Sequence, residues 1–346
     1  MNISDYTISR GATIMDALKQ LNKTQTFTLF VVDSEGKVIG SLTDGDIRRG
    51  LIAGYSLEDD AYSISLKNFR YVDDTNNSPR YIRSVSEFGI RLLPYLNPDG
   101  SIKKLIDLQR TRSLLSIDAV IMAGGKGERL RPLTDNVPKP LLPLGDKPII
   151  EYNVDRMISY GIDHITISVN YLGEQIKDYF GNGEKKGIDI DYIDEDSPLG
   201  TLGAVSKIKQ FTNEVVLVMN SDLFTNIDLE ELYIHFIENK ADIAVASIPY
   251  NVTVPYAVMQ TNNELIHNFE EKPTYTYYSN GGIYLIKREL LEQMEKNRFC
   301  DATDFIKKAI EAGKRVTYFP IVGYWIDIGK PEDYRKAQEF IKFMKR

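Results

Sequence analysis

Several stretches of the chain combine residue types that can handle phosphate. The first runs Ala123-Gly124-Gly125-Lys126-Gly127, directly after the apolar run Ala119–Met122, and continues to Arg129, Arg131 and Pro138-Lys139-Pro140. Glycines let a backbone approach a phosphate closely and aim its N–H groups at it. Lys126, Arg129, Arg131 and Lys139 surround that loop with positive charge. A P-loop needs Gly-x4-Gly-Lys-Ser/Thr, which is absent, and a dinucleotide fingerprint needs a third glycine where Leu130 stands. The second stretch is Asn220-Ser221-Asp222-Leu223, after the run Val215–Met219. An aspartate at the carboxyl end of a strand faces the ligand crevice of an open sheet, although a cap on the next helix is the plainer alternative. The third stretch is Trp325-Ile326-Asp327-Ile328-Gly329-Lys330-Pro331-Glu332, whose Asp327 is the second acid of interest, and a turn before a helix is its plain alternative. Glu270-Glu271-Lys272-Pro273, taken alone, reads as a solvated turn.

These residues need a scaffold. From residue 117 onward, strand-like runs cover Ala119–Met122, Ile165–Val169, Ile188–Ile193, Val215–Met219, Ile243–Ser247 and Ile283–Ile286. Helical patterns fall between several of them. Ile150, Val154, Met157 and Ile158 share one face, closed by Gly161, and Leu229, Leu232, Tyr233, Phe236 and Ile237 share another. Strands alternating with helices predict an α/β fold, with a mostly parallel sheet covered by helices on both faces. Loops after the strands are then the place for chemistry.

The first 116 residues have a different rhythm. Residues 28–44 and 92–108 form a weak internal repeat in which Gly36 aligns with Gly100, Asp33 with Asn97 and Val38 with Ile102. Each copy reads as a hairpin around an acidic-Gly turn. A helix precedes the first, with Ile14, Ala17, Leu18 and Leu21 on one face and Thr13 as its cap. The stretch Arg110–Ser116 separates the two regions, giving expected domains 1–116 and 117–346.

Composition limits the function. The 346 residues carry 42 Lys+Arg against 49 Asp+Glu, a net charge of −7, which argues against a nucleic-acid partner bound by charge neutralisation. One cysteine, Cys300, excludes an internal disulfide, and three scattered histidines argue against a zinc site. No apolar run reaches membrane-spanning length, and the start lacks the pattern of a signal peptide. The expectation is a cytoplasmic protein.

Residues 119–151 resemble the signature of the sugar-1-phosphate nucleotidyltransferases, and the likeness extends over 117–346. The resemblance implies a Rossmann-like (GT-A-like) fold and transfer of a nucleotidyl group from an NTP to a sugar 1-phosphate, releasing pyrophosphate. By match to the motifs, Ala123, Gly124, Gly125 and Gly127 hold the nucleotide, Arg129 grips the departing pyrophosphate and Lys139 neutralises the phosphates. Asp222 and Asp327 bind Mg²⁺. Gly200, in Pro198-Leu199-Gly200-Thr201-Leu202-Gly203, meets the base with Glu195 beside it. Tyr171, Glu271, Lys272 and Asn280 serve the sugar phosphate. Two positions depart from the family: Ala257 replaces a glycine near the sugar, and Lys330 replaces a threonine after Asp327.

The N-terminal repeat resembles a tandem CBS pair, a regulatory or dimerising module implying a homo-oligomer. Gly40-Ser41-Leu42-Thr43-Asp44-Gly45-Asp46 matches the ribose-phosphate motif, with Thr43 and Asp46 as contacts for a nucleotide effector. The second copy has Asp107 and Arg110 in their places. The layout is similar to CBS-fused glucosamine-1-phosphate guanylyltransferases of legionaminic acid biosynthesis. GTP with glucosamine or mannose 1-phosphate is therefore the leading expectation. The alternatives are thymidylyl or uridylyl transfer to glucose 1-phosphate, or an inactive nucleotide-binding regulator.

Overall fold

The structure, a computed structural model, describes residues 1–24 and 26–344. The chain divides into two compact units, Met1–Leu114 and Leu115–Arg346. The last two residues of the expected second domain, 345 and 346, lie outside the described residues.

In the first unit both copies of the repeat are antiparallel hairpins, Thr28–Val32 with Val38–Thr43 and Leu92–Leu96 with Ile102–Asp107. Their turns are built alike. Gly36 N–H donates to the Asp33 carbonyl and Gly100 N–H to the Asn97 carbonyl, at 3.1 and 2.9 Å. Both glycines have positive φ, +82° and +84°, which accounts for their alignment in the sequence. The helix Ile14–Leu21 starts at a capping box in which Thr13 and Asp16 satisfy each other's backbone N–H groups, and it buries Ile14, Ala17 and Leu21. The copies diverge after the hairpin. A helix, Asp44–Ile52, continues the first, whereas Asp107 opens only a turn.

The second unit is built on a seven-stranded sheet ordered Asp189–Asp194, His164–Val169, Ile117–Ala123, Val215–Asn220, Thr274–Lys287, Ile243–Thr253, Val316–Pro320. Thr274–Lys287 is antiparallel to both its neighbours and every other pairing is parallel. Alternate residues feed two cores, as the period of a strand requires. Ala119, Ile121, Leu217 and Met219 pack with the helices Ile149–Ser159 and Leu229–Glu238, while Val120, Val216 and Val218 pack with Leu290 and Ala309 on the other face. A smaller cluster of Leu130, Leu142, Phe224, Ile328 and Tyr334 seats the signature segment on the terminal helix Pro331–Met344. The register pairs Ala123 with Val169, Val169 with Asp194, and Met122 with Asn220, so the loops after these four strands emerge at one end of the sheet.

Candidate active site

At that end the glycine loop and the Asp222 turn enclose a cavity of about 410 Å³, lined by Gly125, Gly127, Arg129, Lys139, Asn220 and Asp222 among others. The loop's three glycines have separate reasons. A Cβ on Gly124 would stand 2.5 Å from Glu195 Oε1. Gly127 has φ +64°, and a Cβ there would meet Lys139 Cβ and Thr134 Cγ2 at 3.0 Å. Gly125 faces open space, with no atom within 4 Å of where its Cβ would be. That backbone is free for a ligand to approach.

Lys139 sits between two prolines, is buried, and forms an ion pair with Asp222. Arg129 and Lys126 are exposed at the rim. Asp222 does not cap a helix, because the next helix is capped by Asp228. Instead it sits in the turn before the short strand Leu223–Thr225, which pairs antiparallel with Trp325–Asp327 and places Leu223 opposite Asp327. Ile328 N–H donates to the Asp222 carbonyl at 3.1 Å. This ribbon brings together two acids remote in sequence. Burial, and Asp222 facing it, push the Asp327 carboxyl above its usual range, with Lys139 and Arg129 pulling it back. Asp327 Oδ1 is buried without a hydrogen-bond partner. Two converging carboxylates, one with an unused oxygen, suit a hard divalent cation that takes its remaining ligands from phosphate and water. Among the described residues, no group of three or more His, Cys, Asp or Glu is arranged for a metal.

A second cleft of about 340 Å³ opens beside the first, lined by Thr201, Asn220, Asn280, Asp301, Trp325 and Asp327 among others. It has no lysine or arginine in its lining. Asn220 is the one side chain shared by both cavities. A Cβ on Gly282, at φ +69°, would come within 2.7 Å of the Asn220 amide nitrogen, so this glycine is what leaves the amide room. Asn153, almost fully buried on the helix beneath, donates to the Ser221 and Leu223 carbonyls at 3.4 and 3.0 Å and pins the Asp222 turn. Neither asparagine has a role that the sequence pattern assigns. For Asn153 the available signal is a polar residue beside the apolar helix face of Ile150, Val154 and Met157.

Other expected residues are placed differently. The Glu195 carboxylate accepts from Ser168 Oγ and from Leu199 N–H, so it organises the loop before Gly200 from within the fold. Gly200 has φ +74° and lies against Asp301 and the Cys300 carbonyl. Tyr171 donates to the Thr134 and Asp135 carbonyls, tying its hydroxyl to the signature segment. Asn280 donates to Tyr284 and accepts from Gly282 N–H, supporting the turn behind Asn220. Glu271 and Lys272 are exposed and line neither cavity. In the first unit, Thr43 and Asp46 form a capping box and Arg49 pairs with Asp46, so the expected ligand contacts satisfy one another.

The sequence pattern of the Nucleotidyl transferase family matches residues 118–343, and that of the CBS domain matches residues 1–53. The chain belongs to the nucleotidyl transferase family. It is 35% identical over 226 residues to a D-glycero-alpha-D-manno-heptose 1-phosphate guanylyltransferase of Aneurinibacillus thermoaerophilus, covering 64% of this chain and 97% of that one. It is 29% identical over 226 residues to a mannose-1-phosphate guanylyltransferase of Mycobacterium tuberculosis, covering 63% of this chain and 62% of that protein's length. The solved structure of HddC from Yersinia pseudotuberculosis complexed with GMP-PN matches with a TM-score of 0.52 at 26% identity, covering 65% of this chain and 99% of that one. The family match thus spans the sheet and both clefts. The CBS match ends before the second hairpin. Among the described residues, no helix is long and apolar enough to cross a membrane.

Proposed function

We propose that the chain is a Mg²⁺-dependent sugar-1-phosphate nucleotidyltransferase that prefers GTP. The supporting observation is the convergence of an open glycine backbone at Gly125, the cations Arg129 and Lys139, and Asp222 on one cavity, joined through Asn220 to a second cleft lined by Asp327, the acid that Asp222 faces. The triphosphate lies along the glycine loop. An oxygen of the sugar phosphate attacks the α-phosphorus in line; the new O–P bond forms as the α–β bridge breaks, and pyrophosphate leaves toward Arg129 and Lys126. A phosphate monoester is largely dianionic near neutral pH, so no side chain need remove a proton. Lys139 neutralises charge on the transferring group, and fixed cations are effective where charge builds up. Asp222 and Asp327 would hold Mg²⁺, which supplies Lewis-acid stabilisation of the phosphates. Asn220 donates to the acceptor phosphate at the junction.

The preference for GTP rests on the guanylyltransferases among the relatives and not on a residue that reads guanine. The sugar is drawn from the same comparison, a manno-configured 1-phosphate, with glucosamine 1-phosphate as the competitor that the domain layout suggests. The hairpin repeat supports reading residues 54–116 as a second CBS copy.

Pyrophosphate release tests this reading, with GTP, dTTP, UTP, CTP and ATP each set against mannose, heptose, glucosamine and glucose 1-phosphates in the presence of Mg²⁺. One strongly preferred pair containing GTP is the expected result. A preferred pair with dTTP or UTP overturns the base assignment, and nucleotide binding without turnover on any acceptor favours a regulatory protein.

A further inference from the structure

Apart from the two clefts already described, the second unit holds a cavity of about 280 Å³. Its walls are the short helix Arg288–Glu292, the helix Ala302–Glu311 and the chain that joins them. Leu290 and Ala309 belong to the buried core on that face of the sheet, and Met294, Cys300 and Phe305 pack against the same core, so the floor is apolar. Small side chains at Ala309 and Ala312 leave the space unfilled. The remaining lining is cationic in balance, with Arg298, Lys308 and Lys314 against the single acid Glu295. Arg298 pairs with Glu295. Lys308 and Lys314 close no ion pair, because the acids within their reach are taken: Glu295 by Arg298, and Asp242, outside the cavity, by Lys287. An apolar floor thus meets two lysines with charge to spare.

The same stretch of chain backs the segment that carries Gly200. Cys300 N–H donates to the Leu199 carbonyl at 2.8 Å, and the Cys300 carbonyl accepts from Leu202 N–H at 2.9 Å. Asn297 N–H donates to Ser206 Oγ at 3.2 Å. A Cβ on Gly203 would stand 2.5 Å from the Arg298 carbonyl, so the two segments lie in close contact. Residues 297–301 therefore present side chains to the cavity and backbone to the segment 199–206.

We propose that this cavity binds a small amphipathic carboxylate, and that its occupation stiffens the segment 199–203. The apolar body lies on Leu290, Met294 and Phe305, and the carboxylate lies between Lys308 and Lys314. Small-molecule sites are mostly apolar with a few polar groups that fix orientation, and they begin at roughly 300 Å³. The size here suits a short alkyl or single-ring body and is too small for a nucleotide sugar. The coupling is entropic: a ligand that immobilises residues 297–301 also removes freedom from the backbone bonded to them. Where that segment meets the base, as the proposed function has it, such a ligand regulates nucleotide binding from outside the active site.

Calorimetric titration of the full chain with octanoate tests the assignment, with octanol and octylammonium as bodies of the same length and different charge. A single equivalent of octanoate is expected to bind, with octanol about tenfold weaker for want of one charge-assisted hydrogen bond and octylammonium silent. Lys308→Glu with Lys314→Glu should reverse the order, losing octanoate and gaining octylammonium, which a merely unfolded variant cannot do. Ala312→Trp, at the end of the helix, should abolish binding of all three. Hydrogen exchange on the wild type gives a readout free of mutation: amides of 199–203 should gain protection when octanoate is added. No saturable octanoate binding overturns the inference. So do octanol binding as tightly as octanoate, charge-reversed lysines that leave the order unchanged, or amides of 199–203 that ignore the bound ligand. Each readout is taken without nucleotide or sugar phosphate, so failure here is distinguishable from failure of the proposed activity.

Discussion

At the carboxyl ends of the catalytic sheet Lys139 and Asp222 pair with each other but other expected ligand groups stay open, whereas at the first turn of the helix Asp44–Ile52 the expected ligand groups face each other. Gly125 has nothing over it, Arg129 stands exposed at the rim, and Asp327 keeps a buried oxygen unused. Thr43 and Asp46, by contrast, close a capping box on one another, with Thr43 N–H donating to Asp46 Oδ2 at 2.8 Å and Asp46 N–H to Thr43 Oγ1 at 3.3 Å. Asp107 and Arg110, at the matching positions of the second copy, also lie within ion-pair distance of each other, at 4.0 Å. A motif read from residue types cannot separate these cases. What separates them is whether the local backbone already uses the polar atoms, as a helix N-terminus does when its first N–H groups lack partners.

The contrast can be broken from its catalytic side first. Asp222→Asn removes the partner of Lys139 and one of the two facing carboxylates, and should lower kcat by about 10²–10³ while nucleotide binding, followed by calorimetry, survives. A variant with unchanged kcat would place the chemistry elsewhere. Gly127→Ala forces a Cβ to within 3.0 Å of Lys139 Cβ at a positive φ. Turnover should fall about tenfold or more, with thermal stability reduced by roughly 1 kcal/mol from the strained φ alone. Asn220→Ala sharpens the boundary between the two cavities. Loss of one hydrogen bond to a charged group, about 1.5 kcal/mol, should raise KM for the sugar phosphate about tenfold and leave KM for the triphosphate in place; equal shifts in both would make Asn220 a purely structural residue. Smallest is Thr43→Ala. It should cost about 1 kcal/mol of stability in the first unit, read as a lower melting temperature, with kcat unchanged. If instead a nucleotide stabilises the wild type and not this variant, the box opens for a ligand and the contrast disappears.

Much of the scaffold is legible because burial writes periodicity into the sequence. The runs at 119–122, 165–169 and 215–219 belong to strands that feed cores on both faces, and the helix pattern closed by Gly161 obeys a local rule, whereas the helix after Asp222 is capped by Asp228 and not by Asp222. The apolar runs Ile243–Ser247 and Ile283–Ile286 cover less than the full strands they belong to. Only the inner halves of those strands are buried, and the outward halves, rich in Tyr and Thr, carry strand propensity without an apolar run. In the site, Lys139, Asp222 and the loop glycines are legible from composition and position. The pairing of Leu223–Thr225 with Trp325–Asp327 is not, since nothing local announces a contact between such distant segments. Likewise, the internal hydrogen bonds that occupy Glu195, Tyr171 and Asn280 depend on tertiary neighbours that the residue types do not reveal.

The loop at Gly200 has a thermodynamic consequence. Thr201 lines the cleft that holds Asn280 and Trp325, and its N–H donates to Asp301 Oδ1 at 3.3 Å, while Leu202 N–H and the Leu199 carbonyl bond the backbone of Cys300. If Gly200 meets the base, as the family resemblance implies, one strip of chain borders both ligands. Ordering that strip for one ligand lowers the cost of ordering it for the other, an equilibrium coupling of equal size in both directions.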